Sequence, residues 1–398
     1  MSMDRQLIIS LVSDQTIPNV QIIKEFGDNQ TDYMLILTEK MERRGIANWI
    51  LETCHIGVDR VRSILVEEYS MENIANRLQE YDFGDYTRII VNLTGGTKIM
   101  VLSVFEFFKD ISNTEICYVT DAGNEYLRIT ANGSEKKKFL QSISLAEYLT
   151  AYGFKISKSK PSGISFETTN KIYQHYINGV FAAHKDALLF LREKREKKIE
   201  GVDFGIVCDF LNAVEYTPFK QNKLSKDETK YFTGEWFEEY IGERIKRDLG
   251  LSDENMFVGT TIKKIVKQGQ EINSVSNLLE LKDPEMPPSN ELDVAFIKNN
   301  KFYVVECKTS IFSDLGKNGQ PKNILGETIY KSDALKTKFG LFAKSYIFTL
   351  SDLKQSVCDD HNKQTYMIDL IKRASLSNIK IVDKDSLVRS HNMSDLLF

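Results

Sequence analysis

The stretch N-E-L-D-V-A-F-I-K-N-N-K-F-Y-V-V-E-C-K-T-S, residues 290–310, decides the fold of the C-terminal half of the chain. Two runs rich in β-branched and aromatic residues, Leu292–Ile297 and Phe302–Cys307, lie on either side of the pair Asn299-Asn300. Because asparagine tolerates positive φ better than most residues, this pair predicts a tight two-residue turn. The stretch therefore predicts a β-hairpin.

The register of this hairpin sets one carboxylate opposite another. With the turn at the asparagine pair, Asp293 faces Glu306, and Lys308 lies on the same face of its strand as Glu306. Like charges that face each other across an antiparallel pair destabilise it. A hard divalent cation such as Mg²⁺ or Mn²⁺ removes this repulsion, since it binds carboxylate oxygens. The hairpin therefore predicts a metal site, beside which Lys308 would orient a water molecule or stabilise negative charge on phosphorus.

A surface ladder of ion pairs is the alternative interpretation of these residues. The tripeptide Glu-x-Lys occurs five times in the chain, so it carries little information by itself. The strand around Glu306 is apolar on both faces, and an unpaired charge in such a strand is costly. The other four occurrences lie in polar segments and begin at Glu135, Glu196, Glu228 and Glu280. This contrast favours the metal site.

An aspartate on one strand, followed by Glu-x-Lys on the next, resembles the core of the PD-(D/E)xK nucleases. A leucine precedes Asp293 where that family commonly has proline, a departure that keeps the carboxylate in place. The resemblance implies that Asp293, Glu306 and the backbone carbonyl of Cys307 hold Mg²⁺ or Mn²⁺. It also implies that Lys308 positions the attacking water, and Glu291, opposite Lys308, is a candidate to orient that lysine.

A second segment carries the same resemblance. Residues 233–249 begin T-G-E-W-F-E-E-Y-I and predict an amphipathic helix. The pattern resembles the first helix of PD-(D/E)xK nucleases, whose glutamate often completes the metal site, and by position that residue is Glu238. Glu235 and Glu239 remain alternatives, and an exposed helical glutamate is the ordinary interpretation of each. Downstream, a helix predicted at 326–338 and a strand at 345–349 fit the αβββαβ order of this core.

The N-terminal half alternates predicted strands with predicted helices. This alternation is typical of a doubly wound α/β sheet with parallel strands, in which ligands bind at the carboxyl ends of the strands. The predicted strands are 6–13, Tyr33–Thr38, Val61–Glu67, Thr87–Thr94 and Glu115–Thr120. One predicted helix begins at Ile17, and three more cover Met41–Cys54, Met71–Tyr81 and Ile99–Phe108.

Two polar loops follow the first and fourth of these strands. One is S-D-Q-T at residues 13–16, and the other is T-G-G-T-K at residues 94–98, which runs into a helix. Paired glycines let the backbone approach a ligand closely, and the helix N-terminus offers free N–H groups to an anion. The second loop is not a Walker A loop, because Thr97 separates Gly96 from Lys98. A plain strand-to-helix turn is the alternative interpretation.

A strand that ends in N-L-T-G-G-T-K, with S-x-Q-T after the first strand, resembles a CARF domain, the sensor of cyclic oligoadenylates in type III CRISPR defence. The resemblance covers about residues 1–150 and implies a homodimer that builds the ligand pocket across its two-fold interface. This half has 15 basic and 22 acidic residues, so attraction for a polyphosphate must come locally, from Lys98, hydroxyls and backbone amides. The pocket residues that the resemblance implies are Ser13, Gln15, Thr16, Thr94, Gly95, Gly96, Thr97 and Lys98.

Composition excludes several classes of protein. The 398 residues are 42% hydrophobic and 27% charged with a net charge of −4, which predicts a globular chain of two or three domains. The apolar runs have the length of strands and the first of them is too short for a signal peptide, so we expect a cytoplasmic protein. Five widely spaced cysteines without C-x-x-C argue against zinc and disulfide frameworks, and Cys307 is expected to point into the core.

The sequence therefore predicts an α/β protein: an N-terminal Rossmann-like CARF domain and a C-terminal PD-(D/E)xK restriction-endonuclease-like domain. The predicted boundaries are 1–150 for the sensor and 226–398 for the nuclease. Residues 151–225 are predicted to be a linker and connecting helical segment, with the clearest linker at 157–163, where serine, lysine, proline and glycine cluster.

This order of domains resembles the CRISPR ancillary nucleases that cyclic tetra-adenylate activates allosterically. The resemblance implies cleavage of single-stranded DNA and RNA and nicking of supercoiled DNA. Two alternatives remain open. One is a constitutive restriction- or repair-type nuclease, and the other is a non-enzymatic CARF regulator that binds nucleic acid.

Overall fold

The computed structural model describes residues 5–120, 124–130, 133–159, 162–195, 197–265, 290–313, 322–354 and 361–398. Residues 160–161 of the predicted linker and the Glu-x-Lys glutamates Glu196 and Glu280 lie outside these ranges. No helix among the described residues is long and apolar enough to cross a membrane.

Among the described residues, seven strands form the first sheet, in the order β3-β2-β1-β4-β5-β6-β7. The first five strands are parallel, as predicted, and β6 and β7 add an antiparallel hairpin at one edge. The sequence interpretation missed this hairpin, because the exposed run in β7 lacks an apolar face. The strands are β1 Gln6–Leu11, β2 Thr31–Leu37, β3 Val61–Leu65, β4 Arg88–Asn92, β5 Thr114–Val119, β6 Glu125–Thr130 and β7 Gly133–Lys138.

Helices connect these strands. The single helix predicted over Met41–Cys54 is wrong: Gly45 adopts a left-handed conformation with φ of 69° and separates two helices. A left-handed residue cannot continue an α-helix, so the chain turns at this glycine. The helices are α1 Ile17–Phe26, α2 Glu39–Arg43, α3 Ile46–Thr53, α4 Met71–Gln79, α5 Lys98–Phe108 and α6 Leu145–Ala151.

The second sheet contains the predicted hairpin. Among the described residues, this sheet has six strands in the spatial order β17-β16-β13-β12-β11-β8, with β12 Asn290–Lys298 and β13 Lys301–Lys308 at the centre. Asn299 and Asn300 have φ of 52° and 57°, and Val294 pairs with Val305, so the predicted turn and register are confirmed. The other strands are β8 Phe154–Ser159, β11 Met256–Lys264, β16 Lys344–Thr349 and β17 Ile379–Val382. Two short ladders pair β9 Ile199–Glu200 with β10 Lys223–Leu224 and β14 Phe312–Ser313 with β15 Lys322–Asn323.

The helices of the C-terminal half surround this sheet. The first core helix, α11, begins at Trp236 and not at Thr233, because a π-helical turn at Tyr231–Glu235 with an extended Gly234 precedes it. The order α11, β11, β12, β13, α12, β16 is the predicted αβββαβ core. These helices are α7 Phe166–Ile177, α8 Lys185–Glu193, α9 Val202–Ala213, α10 Lys226–Lys230, α11 Trp236–Leu249, α12 Leu325–Lys336, α13 His361–Leu376, α14 Lys384–Arg389 and α15 Met393–Leu397.

The predicted linker at 157–163 is wrong in its first residues. Residues 154–159 form β8, which pairs antiparallel with β11 at the edge of the second sheet. Polar alternation is compatible with an edge strand, because one face and one edge of such a strand meet solvent. Helices α7, α8 and α9 likewise pack into the same apolar core as α11 and β13. The described residues between 154 and 225 thus pair or pack with elements of the nuclease half.

The two halves share a buried junction. Helix α6 closes the sensor half, and its Tyr148 stacks on Phe302 of the hairpin with ring centroids 5.1 Å apart. The Tyr148 hydroxyl also donates to the carbonyl oxygen of Phe339, at 2.9 Å. Residues of both halves lie in one continuous apolar cluster. The sensor and the hairpin are therefore in direct contact within one protomer.

The turn of the hairpin is bonded to the sensor half. Buried Asn300 accepts a hydrogen bond from the Ile143 backbone N–H at 2.8 Å. Its amide group donates to the Asn124 side chain at 3.1 Å and to the Gln141 carbonyl at 3.3 Å. Asn299, the other turn residue, is exposed. The asparagine pair thus has one member that shapes the turn and one that also joins the two halves.

We expect Asn300→Ala to lower the free energy of unfolding by about 2–3 kcal/mol more than Asn299→Ala does. Both substitutions place alanine at positive φ and share that backbone cost. Only Asn300→Ala also removes three hydrogen bonds, one buried and two partly buried, at about 1 kcal/mol each. Urea unfolding of both variants measures the difference. Equal losses in the two variants would contradict the role of Asn300 as an anchor.

Candidate functional site

The central pair of strands positions the predicted catalytic side chains. Asp293 and Glu306 are both buried, and Lys308 lies between them. The Lys308 ammonium is 2.6 Å from Glu306 Oε1 and 3.6 Å from Asp293 Oδ2. The Cys307 side chain points into the apolar core, as predicted. The structure thus brings the acid pair and the lysine of the Glu-x-Lys motif together.

Asp293 is fixed in place from the neighbouring strand. Its Oδ2 accepts a hydrogen bond from the Cys307 backbone N–H at 2.8 Å. Burial and the charge of Glu306 raise the pKa of Asp293 to about 6. The aspartate is therefore held in a site that disfavours its negative charge unless a cation compensates for it.

The pKa of Glu306 is shifted in the opposite direction from that of Asp293. Its burial favours the neutral form, but Lys308 and Lys331 outweigh burial and hold the pKa of Glu306 below its usual range. Lys331 comes from helix α12, and its ammonium is 2.9 Å from Oε1 and 3.2 Å from Oε2 of Glu306. The sequence interpretation assigned Lys331 no role, since no local pattern relates residues 25 positions apart.

Glu238 lies in the first turn of helix α11. The helix approaches strand β11 closely because Gly242 has no side chain: a Cβ at that position would lie 2.5 Å from Val258 Cγ2. Burial and the charge of Asp293 raise the pKa of Glu238 to about 9. Glu238 therefore senses the same acidic site as the hairpin carboxylates.

The two alternatives to Glu238 differ from it in their surroundings. Glu239 accepts a hydrogen bond from the Ser162 backbone N–H at 3.2 Å, so its carboxylate is part of the packing of the chain. Glu235 precedes the helix, and burial is the main reason for its raised pKa. Among the described residues, Lys308 forms ion pairs with Asp293 and Glu306 and none with Glu291. The geometry therefore favours Glu238 over these alternatives, and the orienting role of Glu291 stays a prediction.

A hard divalent cation fits the chemistry of these donors. Asp293, Glu306 and Glu238 are carboxylates in a buried or half-buried site, and the first and third are disfavoured as anions there. Carboxylate and carbonyl oxygens are the ligands that Mg²⁺ and Mn²⁺ prefer. Within the described ranges, however, no three His, Cys, Asp or Glu side chains converge closely enough to hold a metal ion. The ammonium groups of Lys308 and Lys331 instead supply the positive charge.

An acidic cleft leads away from one side of this site. It has a volume of about 1110 Å³ and lies between α11, β11 and the loop after β8. Carboxylates dominate its polar lining, with Glu238 at the end next to Asp293. A polyanion is repelled by such a surface. Lys331 does not line this cleft and is half exposed, so its surroundings are a more favourable approach for a phosphodiester.

The two predicted ligand loops of the sensor half lie next to each other. Strand β1 pairs with β2 on one side and with β4 on the other, so the loops after β1 and β4 meet where the strand order reverses. A Cβ at Gly95 would lie 3.4 Å from the Ser13 hydroxyl, which shows how close the loops are. Gly96 adopts φ of 65° in the turn before α5. Such a switch point is the usual ligand site of open α/β sheets.

Most hydroxyls of these loops are bonded to the protein itself. Thr16 is buried and donates to the Ala151 carbonyl at 2.7 Å, and Thr97 donates to the Glu68 carbonyl at 2.7 Å while it caps α5. Thr94 accepts a hydrogen bond from the Val119 N–H at 2.6 Å. These threonines shape the loops through their backbone contacts. The Lys98 side chain is exposed and forms no hydrogen bond or ion pair with the described residues.

Gln15 links the sensor loop to the nuclease half. Its amide oxygen accepts a hydrogen bond from the Leu341 backbone N–H at 3.0 Å, and the Tyr152 hydroxyl is 3.5 Å away. Leu341 follows helix α12 and the turn at Thr337–Phe339. A predicted ligand residue is thus in direct contact with the segment that follows helix α12.

Comparisons with known proteins agree with this architecture. The Card1 CARF domain model matches residues 7–148, and the Card1-like endonuclease domain model matches residues 279–388. The two matches cover the ligand loops and the Glu-x-Lys hairpin respectively. No curated protein sequence matches the chain significantly.

Solved structures have the same fold over most of the chain. The crystal structure of protein VC1899 from Vibrio cholerae is 15% identical with a TM-score of 0.68, and the match covers 96% of this chain and 95% of that one. Can2 from Sulfobacillus thermosulfidooxidans, in complex with cyclic tetra-adenylate, is 21% identical with a TM-score of 0.67, over 96% and 97% of the two chains. A type III CRISPR defence DNA nuclease activated by cyclic oligoadenylate is 13% identical with a TM-score of 0.52, over 87% of this chain and 45% of that one. The chain therefore combines a CARF domain of the Card1 type with a Card1-like endonuclease domain.

Proposed function

We propose that this protein is a metal-dependent endonuclease of type III CRISPR defence that cyclic tetra-adenylate activates allosterically. The observation that carries the proposal is the buried pair Asp293 and Glu306 with the partly buried Lys308 between them, within the segment that matches an endonuclease domain. The similarity to Can2 in complex with cyclic tetra-adenylate, along nearly the whole chain, supports the choice of activator. Single-stranded DNA, RNA and supercoiled DNA are the substrates that the family resemblance implies.

The chain's own residues divide the chemistry among them. Asp293, Glu306 and the Cys307 carbonyl would hold Mg²⁺ or Mn²⁺, and Glu238 would complete the site. The cation would supply Lewis acidity at the phosphate and a more acidic water molecule. Lys308, held between the two acids, orients the attacking water and neutralises charge that develops on phosphorus.

The sensor supplies the control. We place the activator at the switch point formed by residues 13–16 and 94–98, with the N-terminus of α5 and Lys98 as the groups that attract its phosphates. In the family that the sequence resembles, this pocket is shared by two protomers, so the active protein is proposed to be a homodimer. The hydrogen bond from the Leu341 N–H to Gln15 connects the loop to the segment that follows helix α12, so a movement of the loop would reach that helix through this segment. Activation requires that the ligand bind the active arrangement more tightly than the resting one.

A cleavage assay with Mn²⁺ tests the proposal. Supercoiled plasmid, single-stranded DNA and RNA are incubated with the full-length protein, with and without cyclic tetra-adenylate. We expect cleavage only when the activator is present. Cleavage without activator would replace the proposal with a constitutive nuclease. No cleavage under either condition, together with retained nucleic-acid binding, would favour a non-enzymatic regulator.

A further inference from the structure

Glu306 is bonded to two ammonium groups, and only one of them belongs to the Glu-x-Lys motif. Lys308 reaches Oε1 at 2.6 Å from the same strand. Lys331 reaches both oxygens, at 2.9 and 3.2 Å, from helix α12. The mechanism proposed above uses Lys308 and leaves Lys331 without a function. A lysine that engages both oxygens of a proposed metal ligand therefore needs its own explanation.

The two lysines balance the negative charge of the site. Asp293, Glu306 and Glu238 would repel one another if all were ionised without compensation, because each is wholly or largely removed from water. Lys331 thus provides part of the positive charge that a divalent cation would otherwise provide. It does so at the carboxylate oxygens that the cation would bind, so the cation and the Lys331 ammonium compete for Glu306. A divalent cation and an ammonium group that contact the same carboxylate also repel each other strongly in a site of low polarity.

Lys331 is placed so that it can leave. Its side chain is 54% exposed, whereas Glu306 is only 5% exposed, so release of the ammonium to solvent requires no change in the core. A lysine side chain has a long flexible stem and a strongly hydrated head group. Glu306 remains bonded to Lys308 after such a release.

We propose that Lys331 is an internal counter-ion that occupies Glu306 in the metal-free protein and yields it to a divalent cation. The proposal rests on the metal-dependent function proposed above and adds a positioning residue to it. Lys331 lowers the affinity for the metal while it stabilises the metal-free site. Helix α12 carries Lys331, and Leu341, five residues after the helix ends, donates to Gln15 of the sensor loop. The counter-ion and this contact between the two halves therefore lie on one stretch of the chain.

The test measures Mn²⁺ binding to the full-length protein by isothermal titration calorimetry, without nucleic acid. We expect Lys331→Met and Lys331→Gln to bind Mn²⁺ about tenfold more tightly than the wild type, a factor within the usual range of coupling between sites. Lys331→Arg keeps the charge and should stay close to the wild type. Lys336→Met is the matched control, since Lys336 lies on the same helix but donates to the Ser377 carbonyl.

Thermal unfolding gives a second readout that does not depend on activity. Without metal, Lys331→Met should unfold at a lower temperature than the wild type, and Mn²⁺ should raise its midpoint by more than it raises that of the wild type. Unchanged or weaker Mn²⁺ binding in both Lys331→Met and Lys331→Gln would overturn the proposal, because Lys331 would then be neutral or would help to orient Glu306. Equal Mn²⁺ binding by the wild type and Glu306→Gln would instead refute the metal site itself, and the counter-ion with it.

Discussion

Glu306→Gln should reduce activator-dependent cleavage by at least about 10³-fold, which corresponds to about 4 kcal/mol of lost transition-state stabilisation. The substitution keeps the size of the side chain but removes the charge that faces Asp293 and bonds both lysines. A neutral amide is a poor ligand for a hard divalent cation, and it leaves Lys308 without its closest partner. Initial rates on supercoiled plasmid with saturating cyclic tetra-adenylate measure the loss.

The chain contains a matched control for this substitution. Glu135→Gln changes the first residue of another Glu-x-Lys tripeptide, which lies on the exposed strand β7 and pairs with Lys137 at 2.8 Å. Exposed ion pairs contribute little, so this variant should cleave like the wild type. Both variants should bind the activator normally, since neither residue lies in the loops at the switch point. Cleavage by Glu306→Gln within tenfold of the wild type would exclude the hairpin as the catalytic centre.

The hairpin could be predicted because its determinants are local. An asparagine pair between two apolar runs fixes the turn, and a period of two along each strand then fixes which residues face each other. Asp293, Glu306 and Lys308 follow from that register without any knowledge of the rest of the chain. The parallel strands of the sensor half could be predicted equally well, because each is a buried apolar run followed by a polar loop and a helix.

Other parts of the molecule depend on contacts between distant segments. Strand β8 was predicted to be part of a linker, since its polar residues are compatible with a loop as well as with an edge strand. Only its pairing with β11 distinguishes the two. Lys331 looks like one of several lysines on a helix, and its contact with Glu306 arises from the packing of α12 against the sheet. The positive φ of Asn300 was predicted from its residue type. Its three hydrogen bonds to the sensor half could not be predicted, because no pattern in the neighbouring sequence indicates them.

The sensor loops show a further limit of sequence reasoning. A hydroxyl in a loop at a switch point can bind a ligand or a neighbouring carbonyl, and the residue type is the same in both cases. Here Thr16, Thr94 and Thr97 bond backbone groups of the protein. The position of the pocket was therefore predictable from strand order, whereas the division of its residues between structure and recognition was not.

Gly340→Ala should lower activation at saturating activator by about tenfold or more, within the usual range of coupling between distant sites. Gly340 adopts φ of 86°, and a Cβ there would lie 2.0 Å from the Tyr152 hydroxyl and 2.8 Å from the Gln15 amide oxygen. The alanine must therefore displace the segment that bonds Gln15 through Leu341. Gln15 also belongs to the proposed activator pocket. Calorimetry therefore measures activator binding to the variant separately, and cleavage is compared at saturating activator.

Gly179→Ala is a control for alanine at a glycine with positive φ. Gly179 has φ of 75°, close to that of Gly340, and a Cβ there would meet no atom within 4 Å. Gly179 is left-handed helical, with ψ of 6°, and alanine there costs about 1–2 kcal/mol. Gly340 has ψ of 173°, a region almost exclusive to glycine, so its alanine variant carries more backbone strain and also disturbs the contact between the sensor loop and the segment after α12. Thermal unfolding of both variants checks that each is folded at the assay temperature. Equal activation of the two variants would mean that the signal does not pass through Gln15 and Leu341. Loss in Gly340→Ala alone would instead assign the coupling to the direct contact within one protomer, through the segment that ends the helix carrying Lys331.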